Sequence, residues 1–81
     1  MEQMTIEKLL SLKSGDWVTK KDKESFLKCY QFIGSLHTKA DWITTFFFYS
    51  NKFGYLDLCI YDVEKDKPDL EVKNYFIGKR D

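Results

Sequence analysis

The chain has 81 residues, 17% of them aromatic, and its thirteen basic and thirteen acidic side chains give no formal net charge. Neither half has the one-sided basicity that binding along a phosphate backbone requires. No apolar run approaches the roughly 20 residues of a membrane-spanning helix, and no signal peptide is visible. We therefore expect a single small cytoplasmic domain over residues 1–81, without a membrane segment.

The first predicted element is a short helix over residues 5–14. Thr5 is a residue type that caps helix N-termini, and Met4 stands where it can pack on Leu9 across the first turn. Gly15 is expected to end the helix in a left-handed conformation. A helix with one apolar face then precedes the rest of the domain.

Residues 22–37 are compatible with two structures. As a helix over residues 22–33, the segment would begin at Asp22 and gain a pair between Glu24 and Lys28, four residues apart. As a strand, its polar and apolar residues alternate poorly. Periodicity therefore favours a second helix at about 22–33.

The strand interpretation leads to an alternative fold. Residues 15–18, Gly-Asp-Trp-Val, follow the first helix and are similar to the opening strand of SH3-like small barrels. Residues 32–36 would then form a bent second strand. This alternative is an N-terminal helix followed by a five-stranded SH3-like β-barrel.

Residues 42–61 contain the strongest structural signal in the chain. Two runs rich in aromatic and β-branched residues, 42–49 and 55–62, flank a short polar loop that contains Gly54. This pattern is typical of a β-hairpin. If Tyr49 faces Tyr55 across the loop, the register of the whole hairpin follows.

The predicted register divides the hairpin side chains between two faces, because successive residues of a strand point in opposite directions. The face turned to the core would hold Thr44, Phe46, Phe48, Leu56, Leu58 and Ile60. The opposite face would hold Ile43, Thr45, Phe47, Tyr49, Tyr55, Asp57, Cys59 and Tyr61.

A third strand is predicted over residues 71–77, after a charged loop in which Pro68 prevents the ladder from continuing. It would extend the hairpin into an antiparallel meander of 42–49, 55–62 and 71–77. The predicted fold class is therefore α+β, with two helices and this meander.

The acidic loop contains a partial calcium-binding spacing. Asp62, Glu64 and Asp66 match the first ligand positions of an EF-hand loop, but Lys67 and Lys73 occupy the positions that need glycine and glutamate. Zinc spacings and phosphate-binding glycine-rich loops are also missing. We therefore expect no metal and no cofactor.

Cys29, Cys59 and His37 are the components of a formal thiol–imidazole pair. A nucleophilic cysteine needs a lowered pKa and a positioned base, and the sequence indicates neither. We expect both cysteines to be reduced and buried, the histidine to lie in an exposed loop, and the protein to have no enzymatic activity.

The outward face of the predicted hairpin is rich in tyrosine, which combines apolar area with a polar tip. The predicted binding residues are Phe47, Tyr49, Tyr55, Asp57, Tyr61 and Tyr75. They predict a small non-enzymatic binding protein that acts by protein–protein contact. A second copy of the chain, giving a homodimer, is as good a partner as a different protein.

Lysine outnumbers arginine twelve to one, which fits AT-rich codons and suggests a regulator or inhibitor encoded by a phage or mobile element.

The alternative function is a single-stranded nucleic-acid-binding β domain that stacks bases on its rings, with Lys73, Lys79 and Arg80 supplying charge. Nucleic acid is the less favoured partner because aspartates crowd the same strands.

Overall fold

The computed structural model describes residues 2–61 and 72–79. In chain order the elements are helix α1 (Ile6–Leu10), strands β1 (Trp17–Lys21), β2 (Leu27–Thr38), β3 (Ile43–Ser50) and β4 (Gly54–Tyr61), a 3₁₀ turn (Val72–Asn74) and strand β5 (Tyr75–Ile77). All strand pairs are antiparallel, and they form one sheet in the order β4-β3-β2-β1-β5.

Helix α1 begins where the sequence predicts but is shorter than the expected 5–14. The Thr5 side chain accepts a hydrogen bond from the Lys8 backbone N–H, which confirms the N-cap. The helix ends at Leu10. Gly15 does have a left-handed φ of 95°, but its N–H donates to the Phe32 carbonyl at 2.8 Å and so directs the chain into the sheet.

The predicted helix over 22–33 is wrong, because most of this segment lies in strand β2. Asp22 does accept backbone hydrogen bonds, as a helix cap would. Its Oδ1 receives the N–H groups of Glu24 and Phe26 at 3.0 and 2.9 Å. These bonds close the turn of the β1–β2 hairpin, with Ser25 at a left-handed φ of 66°.

Two features explain the poor alternation in this segment: up to Phe32 both faces of the strand carry apolar side chains, and a β-bulge follows at Ile33. Phe32 pairs with Phe48 and Gly34 pairs with Phe47, so Ile33 is an extra residue in β2. One inserted residue interrupts the two-residue period of a strand and adds a local bend. Together with the apolar residues on both faces, this interruption hides a strand of 12 residues from a test based on alternation.

The β3–β4 hairpin confirms the predicted register. Tyr49 faces Tyr55, and the pairing runs from Ser50 opposite Gly54 to Ile43 opposite Tyr61. Gly54 has a φ of 81°, which a residue with a Cβ rarely adopts. The strand ends lie within one residue of the predicted 42–49 and 55–62, and residue 62 lies outside the described residues.

The prediction of a third strand over 71–77 beside β4 is wrong in length and in position, because within residues 72–77 only Tyr75–Ile77 is a strand, after the 3₁₀ turn Val72–Asn74, and it lies at the other edge of the sheet. Strand β5 pairs with β1, through Val18 opposite Ile77 and Thr19 opposite Phe76, and not with β4. Consequently β4 and β5 lie at opposite edges of an open sheet. The alternative fold is correct in its five strands, but the described strands do not close into a barrel. Residue 71 and the charged loop at 62–70 lie outside the described residues.

The outer edge of β5 forms backbone hydrogen bonds with residues near the start of the chain. Met4 donates its backbone N–H to the Tyr75 carbonyl at 2.9 Å, and Ile77 donates to the Glu2 carbonyl at 2.8 Å. These bonds satisfy backbone groups that a sheet edge otherwise exposes.

One face of the sheet, the inner face, forms the core. Its fully or nearly buried side chains are Val18, Tyr30, Phe32, Phe46, Phe48, Leu58 and Ile60, packed with Met4, Leu9, Val72 and Tyr75 from outside strands β1–β4. The centre of the Phe48 ring lies 5.6 Å from the centre of the Phe32 ring and 5.8 Å from the centre of the Tyr75 ring. Aromatic contacts of this kind add to the stabilisation that burial provides.

Candidate binding surface

The other face of the sheet, the outer face, contains most of the predicted binding residues. Five of them, from strands β3 and β4, lie together on it and are exposed: Phe47, Tyr49, Tyr55, Asp57 and Tyr61. Tyr55 is the most open, with 79% of its surface exposed. The structure therefore brings five of the six predicted residues onto one surface.

Tyr75 does not belong to this surface. It pairs with Lys20 of β1 and is only 2% exposed, with its ring against Phe48 in the core. The prediction placed Tyr75 beside β4. Pairing with β1 instead puts its ring on the inner face.

Two facing pairs define the centre of the outer face. The ring centres of Tyr49 and Tyr55 are 4.8 Å apart, and the two ring planes are tilted by 56° relative to each other. This is a favourable arrangement for an aromatic pair. Beside them, Phe47 faces Asp57. Asp57 forms no ion pair with any residue in 2–61 or 72–79, so its carboxylate is exposed among the rings.

Strands β1 and β2 extend the outer face beyond the predicted residues. Trp17 pairs with Gln31, and Gln31 pairs with Tyr49 on its other side. A groove of about 500 Å³ lies here, which we call the aromatic groove. Its lining residues are Trp17, Leu27, Cys29, Gln31, Tyr49, Ser50, Asn51, Lys52, Phe53 and Lys79.

Sequence reasoning missed the β1–β2 part of this groove. In the strand interpretation of residues 22–37, Leu27, Cys29 and Gln31 share one side, which is the signal that would have found them. The predicted helix would instead not place these three residues on one face of a sheet. The sequence places Trp17 in a predicted strand but specifies no partner for that strand.

Two lysines give the aromatic groove a positive local charge. The Lys79 ammonium lies 4.4 Å from the centre of the Trp17 ring, a cation–π contact. The Lys52 ammonium lies 5.4 Å from the centre of the Phe53 ring. Within residues 2–61 and 72–79, no aspartate or glutamate lines the groove, and neither lysine forms an ion pair.

The floor of the groove is polar and held in place. Gln31 donates from its side-chain amide to the Gly15 carbonyl at 3.2 Å. The Cys29 sulfur lies 3.6 Å from the Thr19 hydroxyl, and that hydroxyl donates to the Gly78 carbonyl at 2.8 Å. These contacts link β1, β2 and the chain after β5, so the floor is built from three separate segments.

The structure does not bring the predicted thiol and imidazole groups together. Cys59 lies on the outer face, with its sulfur 3.5 Å from the Thr45 hydroxyl. His37 pairs with Thr44 on the inner side and contacts its hydroxyl at 2.9 Å. The expectation that both cysteines are buried is wrong, because Cys59 is exposed and Cys29 is half-buried. His37 lies near the end of strand β2 and not in a loop.

Tyr30 has the one shifted pKa among the described residues. Burial on the inner face raises the pKa of its phenol above the ordinary value of 10.0. The nearby Lys28 ammonium lowers this pKa and the Asp22 carboxylate raises it, both by less than burial does. Since Tyr30 lies in the core and not on the outer face, this shift concerns stability.

Residues 2–61 and 72–79 contain no group of three or more histidine, cysteine, aspartate or glutamate side chains placed to hold a metal ion. The partial calcium spacing at 62–67 lies outside these ranges. In the part of the chain that the structure describes, no helix has the length and apolar character needed to span a membrane.

Comparison of the chain with known protein families, characterised proteins and solved structures found no match.

Proposed function

We propose that this chain is a small non-enzymatic binding protein that acts in the cytoplasm by protein–protein contact through its outer face. The observation that carries the proposal is the exposure of large rings on a sheet whose inner face already holds the core. Trp17, Phe47, Tyr49, Tyr55 and Tyr61 all remain at least 36% exposed. A cluster of exposed rings on one face is typical of an interaction surface.

The chemistry of these residues supports recognition of another protein. Tyrosine and tryptophan side chains provide large contact area with few rotatable bonds, so they lose little entropy on binding. They are also enriched among the residues that dominate binding energies. Asp57, beside Phe47, would then supply a polar contact that orients the partner.

Two partners compete for this surface, a second copy of the chain and a different protein. A two-fold dimer would place the outer faces of two copies against each other. Sedimentation over a range of concentrations distinguishes these partners. A homodimer that dissociates on substitution of Tyr55 identifies the second copy, whereas a monomer leaves the face available for a different protein. The predominance of lysine over arginine supports a phage or mobile-element regulator as the setting.

The experiment that tests the proposal replaces Tyr55 and Tyr61 with serine. Both are exposed, so the fold should persist while self-association or partner capture is lost. The matched control is Leu10→Ser, which removes an exposed apolar side chain from α1 and should change neither. If oligomeric state and captured partners are the same in the wild type and the double variant, the outer face is not the interface.

Single-stranded nucleic acid is the second candidate, favoured by one observation. The rings of Trp17 and Tyr49 line the same groove as the ammonium groups of Lys52 and Lys79, and bases stack on such rings while lysines contact phosphates. Titration with oligothymidylate at two salt concentrations tests this candidate. An affinity weaker than about 100 μM at low salt, or one that does not depend on salt, removes it.

A further inference from the structure

We infer that the aromatic groove binds an acidic peptide segment of the partner, with an apolar side chain between Trp17 and Tyr49 and a carboxylate near Lys52 and Lys79. This inference rests on the proposed function and names the chemistry of the partner. It assigns the groove a part separate from the tyrosines of β4, which would contact the rest of the partner.

The dimensions of the groove suit a side chain and its neighbours. A volume of about 500 Å³ lies within the range of about 300–1,000 Å³ typical of small ligand sites. The walls are mainly apolar, from Trp17, Leu27, Tyr49 and Phe53, and the floor carries Gln31 and Cys29. An apolar side chain therefore fits the walls, and a peptide backbone has polar groups to meet.

Charge complementarity specifies the acidic character. The chain as a whole has no net charge, yet among the residues that the structure describes the groove is lined by two lysines and no acid. Both lysines are exposed and without an ion pair among the described residues. The Trp17 ring, 4.4 Å from the Lys79 ammonium, also restrains this lysine, which reduces the entropy lost when it pairs with a carboxylate.

The distribution of charge over the outer face disfavours nucleic acid as the occupant. A single strand needs a series of cations along its backbone as well as rings for its bases. Beyond the groove the outer face continues to Asp57, which faces Phe47 next to the Tyr49–Tyr55 pair. That carboxylate would repel the neighbouring phosphates, whereas a short acidic segment needs only the two lysines.

The test selects binders from a random displayed peptide library, using the full chain as bait. The expected result is enrichment of sequences in which an aromatic or leucine residue is flanked by aspartate or glutamate. Lys52→Glu and Lys79→Glu should each weaken these peptides by about tenfold, because each reverses a charge that contacts a carboxylate. The matched control is Lys39→Glu, which reverses an exposed charge in the β2–β3 turn and should leave binding unchanged.

The other outcomes overturn the inference in distinguishable ways. The inference is overturned if the selected peptides show no acidic enrichment. It is also overturned if they bind the wild type and the Lys52→Glu and Lys79→Glu variants equally. In either case the proposed function stands if Tyr55→Ser or Tyr61→Ser abolishes the binding of these peptides. Failure to enrich any peptide, together with an unchanged oligomeric state and unchanged captured partners in the tyrosine variants, overturns both. Tighter binding of a single-stranded oligonucleotide pool, lost in the same lysine variants, assigns the groove to nucleic acid instead.

Discussion

The two faces of this sheet are built from the same strands and have similar aromatic content, yet they have opposite relations to solvent. On β3, Phe46 and Phe48 are 2% and 0% exposed, whereas Phe47 and Tyr49, between and beside them, are 38% and 37% exposed. The inner face packs against α1, the 3₁₀ turn and Tyr75. Residue type therefore does not decide whether a ring is buried. The side of the strand on which the ring lies, and the elements that cover that side, decide it.

The largest expected difference between the faces is in stability. Phe48→Ala should lower the free energy of unfolding by about 3–5 kcal/mol, because it removes a fully buried ring and leaves a cavity between Phe32 and Tyr75. Phe47→Ala, on the outer face, should cost about 1 kcal/mol or less. Urea unfolding measures both. Equal costs for the two variants would show that the faces do not differ as described, and Phe48→Leu serves as a control that retains most of the volume.

The comparison depends on residues 27–31 forming a strand, which a variant of the preceding turn can test. Asp22→Ala should lower the unfolding free energy by about 1–2 kcal/mol, because two backbone N–H groups lose their acceptor. Asp22→Asn keeps the acceptor oxygen and should cost less. Circular dichroism of folded Asp22→Ala should show unchanged helical signal. A loss of helical signal would indicate a helix in this segment and remove the β2 part of the outer face.

A smaller effect tests whether the outer rings interact with each other. A double-mutant cycle of Tyr49→Ser and Tyr55→Ser should give a coupling free energy of about 0.5–1 kcal/mol, as facing aromatic pairs on a sheet do. Thr45 and Cys59, a facing pair on the same strands without rings, provide the control cycle with alanine. Additive losses at the tyrosine pair would mean that the two rings contribute only through separate contacts.

The smallest effect is a pH dependence that reports the burial of Tyr30 on the inner face. The pKa of Tyr30 is raised in the folded protein, so as the pH rises the unfolded chain loses the phenol proton before the folded protein does. The contribution of the protonated phenol to the unfolding free energy is therefore complete below pH about 10 and is lost as the pH rises through the folded pKa. Tyr30→Phe should therefore reduce the fall in unfolding free energy at alkaline pH. Identical alkaline slopes for the wild type and Tyr30→Phe would contradict the burial of this phenol.

The part of the fold that could be predicted is the part encoded locally. The β3–β4 hairpin was predicted in its correct register, because a strict two-residue alternation leaves one arrangement that keeps Asp57 in water and Leu58 in the core. The start of α1 was predicted for a similar reason, since the Thr5 side chain caps a neighbouring backbone N–H.

The segment at 22–37 could not be assigned from its pattern. The Asp22 carboxylate accepts nearby backbone N–H groups in a helix cap and in a hairpin turn alike, so the residue does not distinguish them. Apolar residues on both faces up to Phe32, and the extra residue Ile33 after it, then remove the alternation that would have indicated a strand. Tyr75 was misplaced because the partner of β5 lies far away in sequence, and no local signal specifies such a pairing.

The bond network between residues 2–4 and β5 has a consequence for the order of folding. The side-chain amide of Gln3 donates to the Lys73 carbonyl across 70 positions of sequence, so this pairing requires almost the whole chain to be organised beforehand. Loop-closure entropy makes such distant pairings slow, whereas the β3–β4 hairpin needs only a three-residue connection. We therefore expect backbone amides of the hairpin to gain protection early in refolding, and those of Met4 and Ile77 to gain it in the final step.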